Sequence, residues 1–545
     1  MKTSGMTCGE LLVRLLQDLG VEVVFGIPGV HTVELYRGLP ATGIRHITPR
    51  HEQGAGFMAD GYARVSGKPG VCFVITGPGM TNILTAMAQA YADSIPMLVI
   101  SSVNRTHELG MGGGRLHELP SQRALVAGVS AFSHTLMRPE ELPQVLSRAF
   151  AVFSSARPRP VHIEIPLDVI TQSAGPELTK VGASTSRPMP DPTAIASAAQ
   201  LLAAAQRPLL LLGGGSADAG SSATHLAELL DAPTAYTINA KGVLPRGHRL
   251  SVGSNQSLPP VRSLAAAADV VLAIGTELGE TDYDVVFDGG FRLTGKLIRI
   301  DIDAEQLQRN FPADIAIISD ARAAIDALVA ALSNDTGPGR GHGVDSVGST
   351  QAAAARAALA AQCPPAWRSQ REVLQLIQDT LPDVIIAGDS TQPVYCGNHL
   401  YEATRPRSWF NSSTGYGTLG YGLPAAIGAR LAAPSRPVVA LIGDGGIQFT
   451  LPELGSAVEA GTPIIVLLWN NRGYGEIKRF MQQRSIKPIG VDLHTPDFLS
   501  IARAFGCAAA HATSLSHLGE LLRTAASATC PTLIEVMEDA PFLQP

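Results

Sequence analysis

The sequence predicts an α/β protein built of three doubly wound parallel-sheet domains. Short β-branched runs such as VEVVFG, VCFVIT and IPMLVISS alternate with longer helix-patterned stretches, the order expected when parallel strands are joined by crossover helices. The same alternation returns near residue 190 and again near residue 370. At 545 residues the chain is too long for one core, and a prior of roughly 100–200 residues per domain gives about three.

The elements follow in order. TCGE (Thr7 to Glu10) has the form of a capping box, and Leu11, Leu12, Leu15 and Leu16 continue with helical spacing to Gly20, so a helix opens the fold. VEVVFGIPG reads as a strand closed by turn residues, and HEQGAGFMADGYARVSG as a helix. VCFVIT, GPGMTNILTAMAQAYADS and IPMLVISS then read as strand, helix and strand, completing a first domain over residues 1–175. LLLLGGGS, DVVLAIGTE and LIRIDID are buried-type strands of a second domain, 190–333. SNDTGPGRGHGVDSVG opens a linker, 334–365, whose Ala-rich end has the composition of a surface helix. The third domain, 366–545, carries VIIAGDS, GLPAAIGARLAA, PVVALIGDGG, LPELGSAVEAG and PIIVLLWNN. Its glycine turn, helix and strand loosely echo those of the first, as two domains of similar topology would.

Composition removes several function classes. With 16% charged residues and a net charge of −6 there is no global attraction for nucleic acid or anionic membrane. No apolar run reaches the ~20 residues of a membrane span, and the N-terminus lacks an apolar signal core. Cys8, Cys72, Cys363, Cys396, Cys507 and Cys530 are scattered without a CxxC pair, so neither a disulfide framework nor a zinc site is signalled. A cytoplasmic protein is expected.

Chemistry concentrates where LLWNNRGYG ends an apolar run in two amides, Asn470 and Asn471. Upstream, PVVALI ends in GDGG (Gly443 to Gly446), and the gap has room for one helix and one strand. In a parallel sheet this spacing brings Asp444 and the Asn pair to the carboxyl ends of neighbouring strands, where such sheets bind ligands. A carboxylate, an amide oxygen and a backbone carbonyl suit Mg²⁺, which prefers oxygen and leaves places for phosphate and water. Glycines beside Asp444 let backbone N–H groups approach phosphate oxygens. GDG or NN alone is a common turn; together at two strand ends they point to a metal bridging to a diphosphate.

On these residues the chain resembles the thiamine diphosphate enzymes of the acetolactate synthase and 2-oxo acid decarboxylase superfamily, over nearly its whole length. The resemblance names the three domains pyrimidine-binding, central and diphosphate-binding. It implies Mg²⁺ held by the side chains of Asp444 and Asn471 and the carbonyl of Gly473, with Asn470 holding the loop. It places Glu52 of RHEQGAGFMADGYAR as the glutamate that hydrogen-bonds the aminopyrimidine N1′, favouring the imino tautomer that deprotonates the thiazolium C2. Further cofactor contacts implied are Gly26, Pro28, Gly29, Thr76, Gly79, Asn82, Gln392, Gly417, Thr418, Leu419, Gly443, Gly445, Gly446 and Tyr474, with Leu419 bending the cofactor. A homodimer or homotetramer is implied, with Glu52 and the metal site of each active site drawn from different subunits.

The family's chemistry is attack by the C2 ylide on a 2-oxo acid, loss of CO₂ and capture of an enamine. Capture by a proton gives an aldehyde; capture by a second 2-oxo acid gives an acetohydroxy acid. Acetolactate synthases usually have FAD-holding arginines where this chain has Glu277 and Thr281, so FAD binding is doubtful. They also carry Phe-Gln where it reads Leu116-His117, which offers His117 as a proton donor or acceptor near substrate or as a packing residue. Glu476, in GYGEIKRF, lies where the family directs side chains to the substrate tail. A carboxylate there suits a guanidinium; on a helix surface it would instead pair with Lys478 or Arg479. The combination looks most like 5-guanidino-2-oxopentanoate (2-ketoarginine) decarboxylases. The alternatives are an acetolactate synthase-like carboligase, a non-catalytic assembly subunit, which retention of Glu52, Asp444 and Asn471 opposes, and a Rossmann dehydrogenase, which LLGGGSADAG opposes by lacking GxGxxG.

Overall fold

The structure, a computed structural model, describes residues 5–175, 178, 180–285, 287–334 and 346–544. It contains three six-stranded sheets. From one edge, the first runs Arg45–Ile47, Val23–Gly26, Gly70–Val74, Met97–Val103, Val161–Pro166, Phe132–Thr135, with every neighbouring pair parallel. The third runs Trp409–Asn411, Ile385–Gly388, Val438–Gly443, Ile465–Asn470, Thr532–Met537, Ala508–His511. Numbered within each sheet, both follow the order 2-1-3-4-6-5. The internal echo in the sequence is therefore a repeat of topology.

The second sheet runs Ile315–Ile318, Lys296–Asp301, Val270–Ile274, Pro208–Leu212, Thr234–Tyr236, Ser251–Gly253, all parallel. This is the doubly wound order whose reversal opens a crevice at the strands' carboxyl ends. Central strands are buried along their whole length, which explains why they read as continuous apolar runs rather than alternating ones.

The chain forms two compact units. One comprises residues 1–186, 386–391 and 411–542; the other 187–385, 392–410 and 543–545. In the first unit, helix Glu52–Ser66 lies against helix Gly422–Ala432. Two glycines permit this approach: a Cβ at Gly61 would stand 2.1 Å from the Ala425 carbonyl oxygen, and one at Gly428 would stand 1.9 Å from that of Met58. The same helix buries Arg64, whose Nε and Nη2 donate to Asp60 Oδ1 and Asp93 Oδ2, each at 2.6 Å. Tyr421 O–H also donates to Asp60, and Thr414 Oγ1 to Asp93 at 2.9 Å. One buried guanidinium is thus shared by two buried carboxylates, with hydroxyl donors from Tyr421 and Thr414 supplying further hydrogen bonds.

Of the expected linker, residues 335–345 lie outside the described residues. Val347–Ala361 is a helix, and Ala352 and Ala355 are buried in the core of the second unit, so the Ala-rich stretch packs inward as well as facing solvent. The opening capping box forms, Thr7 N donating to Glu10 Oε2 at 2.7 Å and Glu10 N to Thr7 Oγ1 at 3.2 Å. No helix among the described residues is long and apolar enough to cross a membrane, and all six cysteines are free.

Candidate active site

Strands Val438–Gly443 and Ile465–Asn470 are parallel neighbours, with Gly443 opposite Trp469. Asp444 and Asn471 therefore emerge side by side at their carboxyl ends. Asp444 is 1% exposed; its Oδ1 accepts the Asn471 N–H at 3.1 Å, while its Oδ2 has no partner. One terminal atom of the Asn471 amide is 3.1 Å from Asp444 Oδ1 and 2.8 Å from the Gly473 carbonyl oxygen. The other, Nδ2, donates to Glu538 Oε2 at 3.4 Å. The bond to Glu538 turns the amide oxygen inward, whereas the opposite orientation would donate to Asp444 Oδ1 and the Gly473 carbonyl oxygen; a cation held at these atoms selects the first.

With the amide oxygen turned inward, oxygens of Asp444, Asn471 and Gly473 converge beside an unpartnered carboxylate oxygen, Asp444 Oδ2. This donor set is the one a hard cation requires. Among the described residues no group of three or more His, Cys, Asp or Glu could hold a metal. Burial pushes the Asp444 carboxyl upward, a cost that a bound cation would offset.

The loop is held from behind. Asn470 Nδ2 donates to Glu535 Oε1 at 2.7 Å and its Oδ1 accepts the Arg472 N–H at 3.0 Å, so the first asparagine does hold the loop. Gly473 is required by close approach: a Cβ there would stand 2.2 Å from the Val491 carbonyl oxygen. Tyr474 packs on Gly445, where a Cβ would meet its ring at 2.8 Å. Gly443 precedes a single helical turn, Asp444–Ile447, and the longer helix starts only at Glu453. Gly446 abuts the buried Asp389, whose carboxyl burial pushes up to about 6.

Glu52 opens helix Glu52–Ser66 and is 8% exposed. Asn82 Nδ2 donates to its Oε2 at 2.9 Å, and a Cβ at Gly79 would come 3.2 Å from its Oε1. Glu52, Gly79 and Asn82 are thus brought together. The backbone before Glu52 is fixed by a residue that the sequence reading did not single out. Glu453 accepts the N–H of Arg50 at 3.0 Å and that of His51 at 3.1 Å, and Ser456 Oγ donates to it at 2.6 Å. Burial pushes its carboxyl up to about 7.

His117 has φ of +62° and lies against the Gly77 turn, where a Cβ would come 2.9 Å from its Cβ. Its ring meets that of His31 edge-on, centroids 5.2 Å apart. His31 follows GIPG, has a buried Nδ1 without a partner, and is held below the usual imidazole range by burial and then by His117. The sequence reading singled out one imidazole of this pair. Thr76 is fixed by Gln122, whose Oε1 accepts from Thr76 Oγ1 at 2.8 Å and from Gly77 N at 3.1 Å. Gly26 is glycine by necessity, since a Cβ would come 2.3 Å from the Phe73 carbonyl oxygen, whereas Gly29 packs under the tip of the Ile75 side chain; Pro28 lies between them. Gly417 is exposed at φ +77°, with Thr418 and Leu419 half-buried beside it. Gln392 starts helix Gln392–Leu400 in the second compact unit, whereas the other cofactor residues named lie in the first. Glu52 and Asp444 share no hydrogen bond among the described residues.

Glu476 sits in the first turn of helix Gly475–Gln483. Its Oε2 lies 3.1 Å from Arg479 Nη1, with the carboxylate side chain 31% exposed. The surface pairing that the sequence offered as the alternative to a substrate contact is therefore the one present.

Comparison with known proteins agrees with this layout. Residues 6–125 match the N-terminal TPP binding domain of thiamine pyrophosphate enzymes, 195–328 their central domain and 389–536 their C-terminal TPP binding domain. The chain is 47% identical to the probable 2-ketoarginine decarboxylase AruI of Pseudomonas aeruginosa, over 97% of this chain and 94% of that protein. It is 31% identical to a probable acetolactate synthase large subunit of Methanocaldococcus jannaschii, over 98% and 92%. It is 33% identical to the acetolactate synthase isozyme 1 large subunit of Escherichia coli, over 98% and 94%. With two binding domains for the cofactor, a central domain between them and relatives matched almost end to end, the chain belongs to the thiamine pyrophosphate enzymes.

Proposed function

We propose that this protein catalyses the thiamine diphosphate- and Mg²⁺-dependent decarboxylation of 5-guanidino-2-oxopentanoate, consuming a proton and giving an aldehyde and CO₂. Bound thiamine diphosphate supplies a carbon nucleophile and a sink for the electron pair left by CO₂. Asp444 Oδ2, the Asn471 side-chain oxygen and the Gly473 carbonyl would hold Mg²⁺. Glu52 hydrogen-bonds the aminopyrimidine N1′, and Asn82 keeps its carboxylate in place. His117 and His31, edge-on to each other beside the Gly77 turn, are the groups offered to carry protons. Glu476 receives the guanidinium of the substrate tail.

The observation that carries the substrate is the end-to-end similarity, 47% identity over 97% of this chain, to a relative described as a probable 2-ketoarginine decarboxylase. Glu476, two residues after Tyr474, is the carboxylate offered to the tail, whose guanidinium would take the place of Arg479 on it. Acetolactate synthases similar at 31–33% favour a second reading, condensation of two 2-oxo acids. We place Glu52 and the metal oxygens of each active site on different subunits of a homodimer or tetramer. Six free thiols suit a cytoplasmic setting. The test is turnover by the purified protein with thiamine diphosphate and Mg²⁺, with product identification: aldehyde from the guanidino acid supports the proposal, and acetolactate from pyruvate supports the second reading.

A further inference from the structure

The second compact unit contains a cavity of about 340 Å³ whose wall carries Lys241, Arg246, Arg356 and Arg371 against a single carboxylate, Glu402. Lys241 is 2% exposed. Its Nζ donates to the Tyr401 carbonyl oxygen at 2.7 Å, one bond for three donors. Arg356 Nη1 donates to the carbonyl oxygens of Arg249 at 2.9 Å and Ser251 at 2.7 Å. Arg246 Nη2 donates only to the Gln375 amide oxygen, at 3.3 Å. None of the four cations makes an ion pair among the described residues, and Arg371 makes no hydrogen bond there either. Glu402 Oε2 accepts the Gly247 N–H at 3.0 Å.

A buried ammonium without a carboxylate in contact is costly. Burial pushes Lys241 down to about 7, with Glu402 only partly opposing this. The four cations come from separate pieces of chain: the segment after strand Thr234–Tyr236, the following loop, helix Val347–Ala361 and helix Trp367–Thr380. Convergence on one cavity is thus a tertiary feature rather than one charged helix face.

We propose that this cavity is a binding site for a small phosphate-bearing metabolite, its phosphate among Lys241, Arg356 and Arg371 and its body against Leu374 and Tyr236. Guanidinium forks match tetrahedral oxyanions through paired N–H donors. Four cations against one carboxylate match a group carrying close to two negative charges, whereas a monocarboxylate would leave most of that charge uncompensated. The volume is within the range of small-ligand pockets. The site lies wholly within the second unit and is independent of the residues assigned to decarboxylation.

The test uses the full chain saturated with thiamine diphosphate and Mg²⁺. Its thermal unfolding midpoint is followed during titration with inorganic phosphate, and separately with malonate, at constant ionic strength. The expected result is a saturable rise with phosphate and a weaker response to malonate. In Arg371→Ala, a change at an exposed position, the apparent dissociation constant for phosphate should weaken at least about tenfold. Lys241→Met should abolish saturation. Absence of a saturable phosphate response in the unaltered protein, or one that Arg371→Ala leaves unchanged, would overturn the proposal. A stronger response to malonate would overturn it in favour of a dicarboxylate.

Discussion

Glu453 Oε1 accepts the backbone N–H of His51 at 3.1 Å, and His51 is the residue before Glu52. A carboxylate at the start of helix Glu453–Glu459, which follows Asp444 in the chain, thus fixes the start of the helix that presents Glu52. Glu453→Ala would leave the Arg50 and His51 N–H groups unpaired, at a cost of roughly 2–5 kcal/mol. Turnover should fall more than cofactor affinity, because Glu52 moves while the metal oxygens stay. Equal losses in both, measured by steady-state kinetics and cofactor titration, would contradict this.

The same group makes a pH prediction. The Glu453 carboxyl is raised from 4.5 to about 7, so the folded chain retains a proton that the unfolded chain releases between those values. Its contribution to stability is complete below pH 4.5 and is lost as pH rises through about 7. Glu453→Gln should flatten this arm in denaturant unfolding measured from pH 4.5 to 7.5. An unchanged slope would show that another group titrates.

Glu52→Gln should keep thiamine diphosphate bound and lower kcat about a hundredfold or more. Asp444→Ala should instead weaken cofactor binding in the presence of Mg²⁺ about tenfold or more, removing the thermal stabilisation that the cofactor gives the unaltered protein. Titration calorimetry separates the two outcomes, and the assignment fails if the two variants behave alike.

The Asp60–Arg64–Asp93–Tyr421 cluster is a structural prediction. Arg64→Met would leave two buried carboxylates without their shared cation and should cost roughly 3–5 kcal/mol. Chemical denaturation checks this directly, and a loss below about 1 kcal/mol would place the cluster among solvent-screened pairs.

Much of the fold was legible because its signals are local. The capping box at Thr7 and Glu10, the apolar runs and the glycine stops each lie within a few residues. The spacing of Asp444 and Asn471 also encodes a parallel pair, since one short helical passage and one strand are all that separate them. Glu453 was not legible: its partners lie 402 and 403 residues away, and its own surroundings, LPELGS, read as an ordinary amphipathic helix. His31 was hidden for the same reason, because its edge-on contact with His117 depends on two turns meeting. The cationic cavity draws Lys241, Arg356 and Arg371 from separate segments, none of which forms a basic run.

The central claim is that Glu476 selects a guanidinium tail for decarboxylation. It is tested most directly by kcat/KM for CO₂ release from 5-guanidino-2-oxopentanoate and from 2-oxohexanoate, an uncharged acid of similar length, in the unaltered protein and in Glu476→Gln. The expected result is a clear preference for the guanidino acid that drops by roughly 10- to 100-fold in the variant, with little change for 2-oxohexanoate. No preference in the unaltered protein, or a preference that Glu476→Gln leaves intact, would contradict the account.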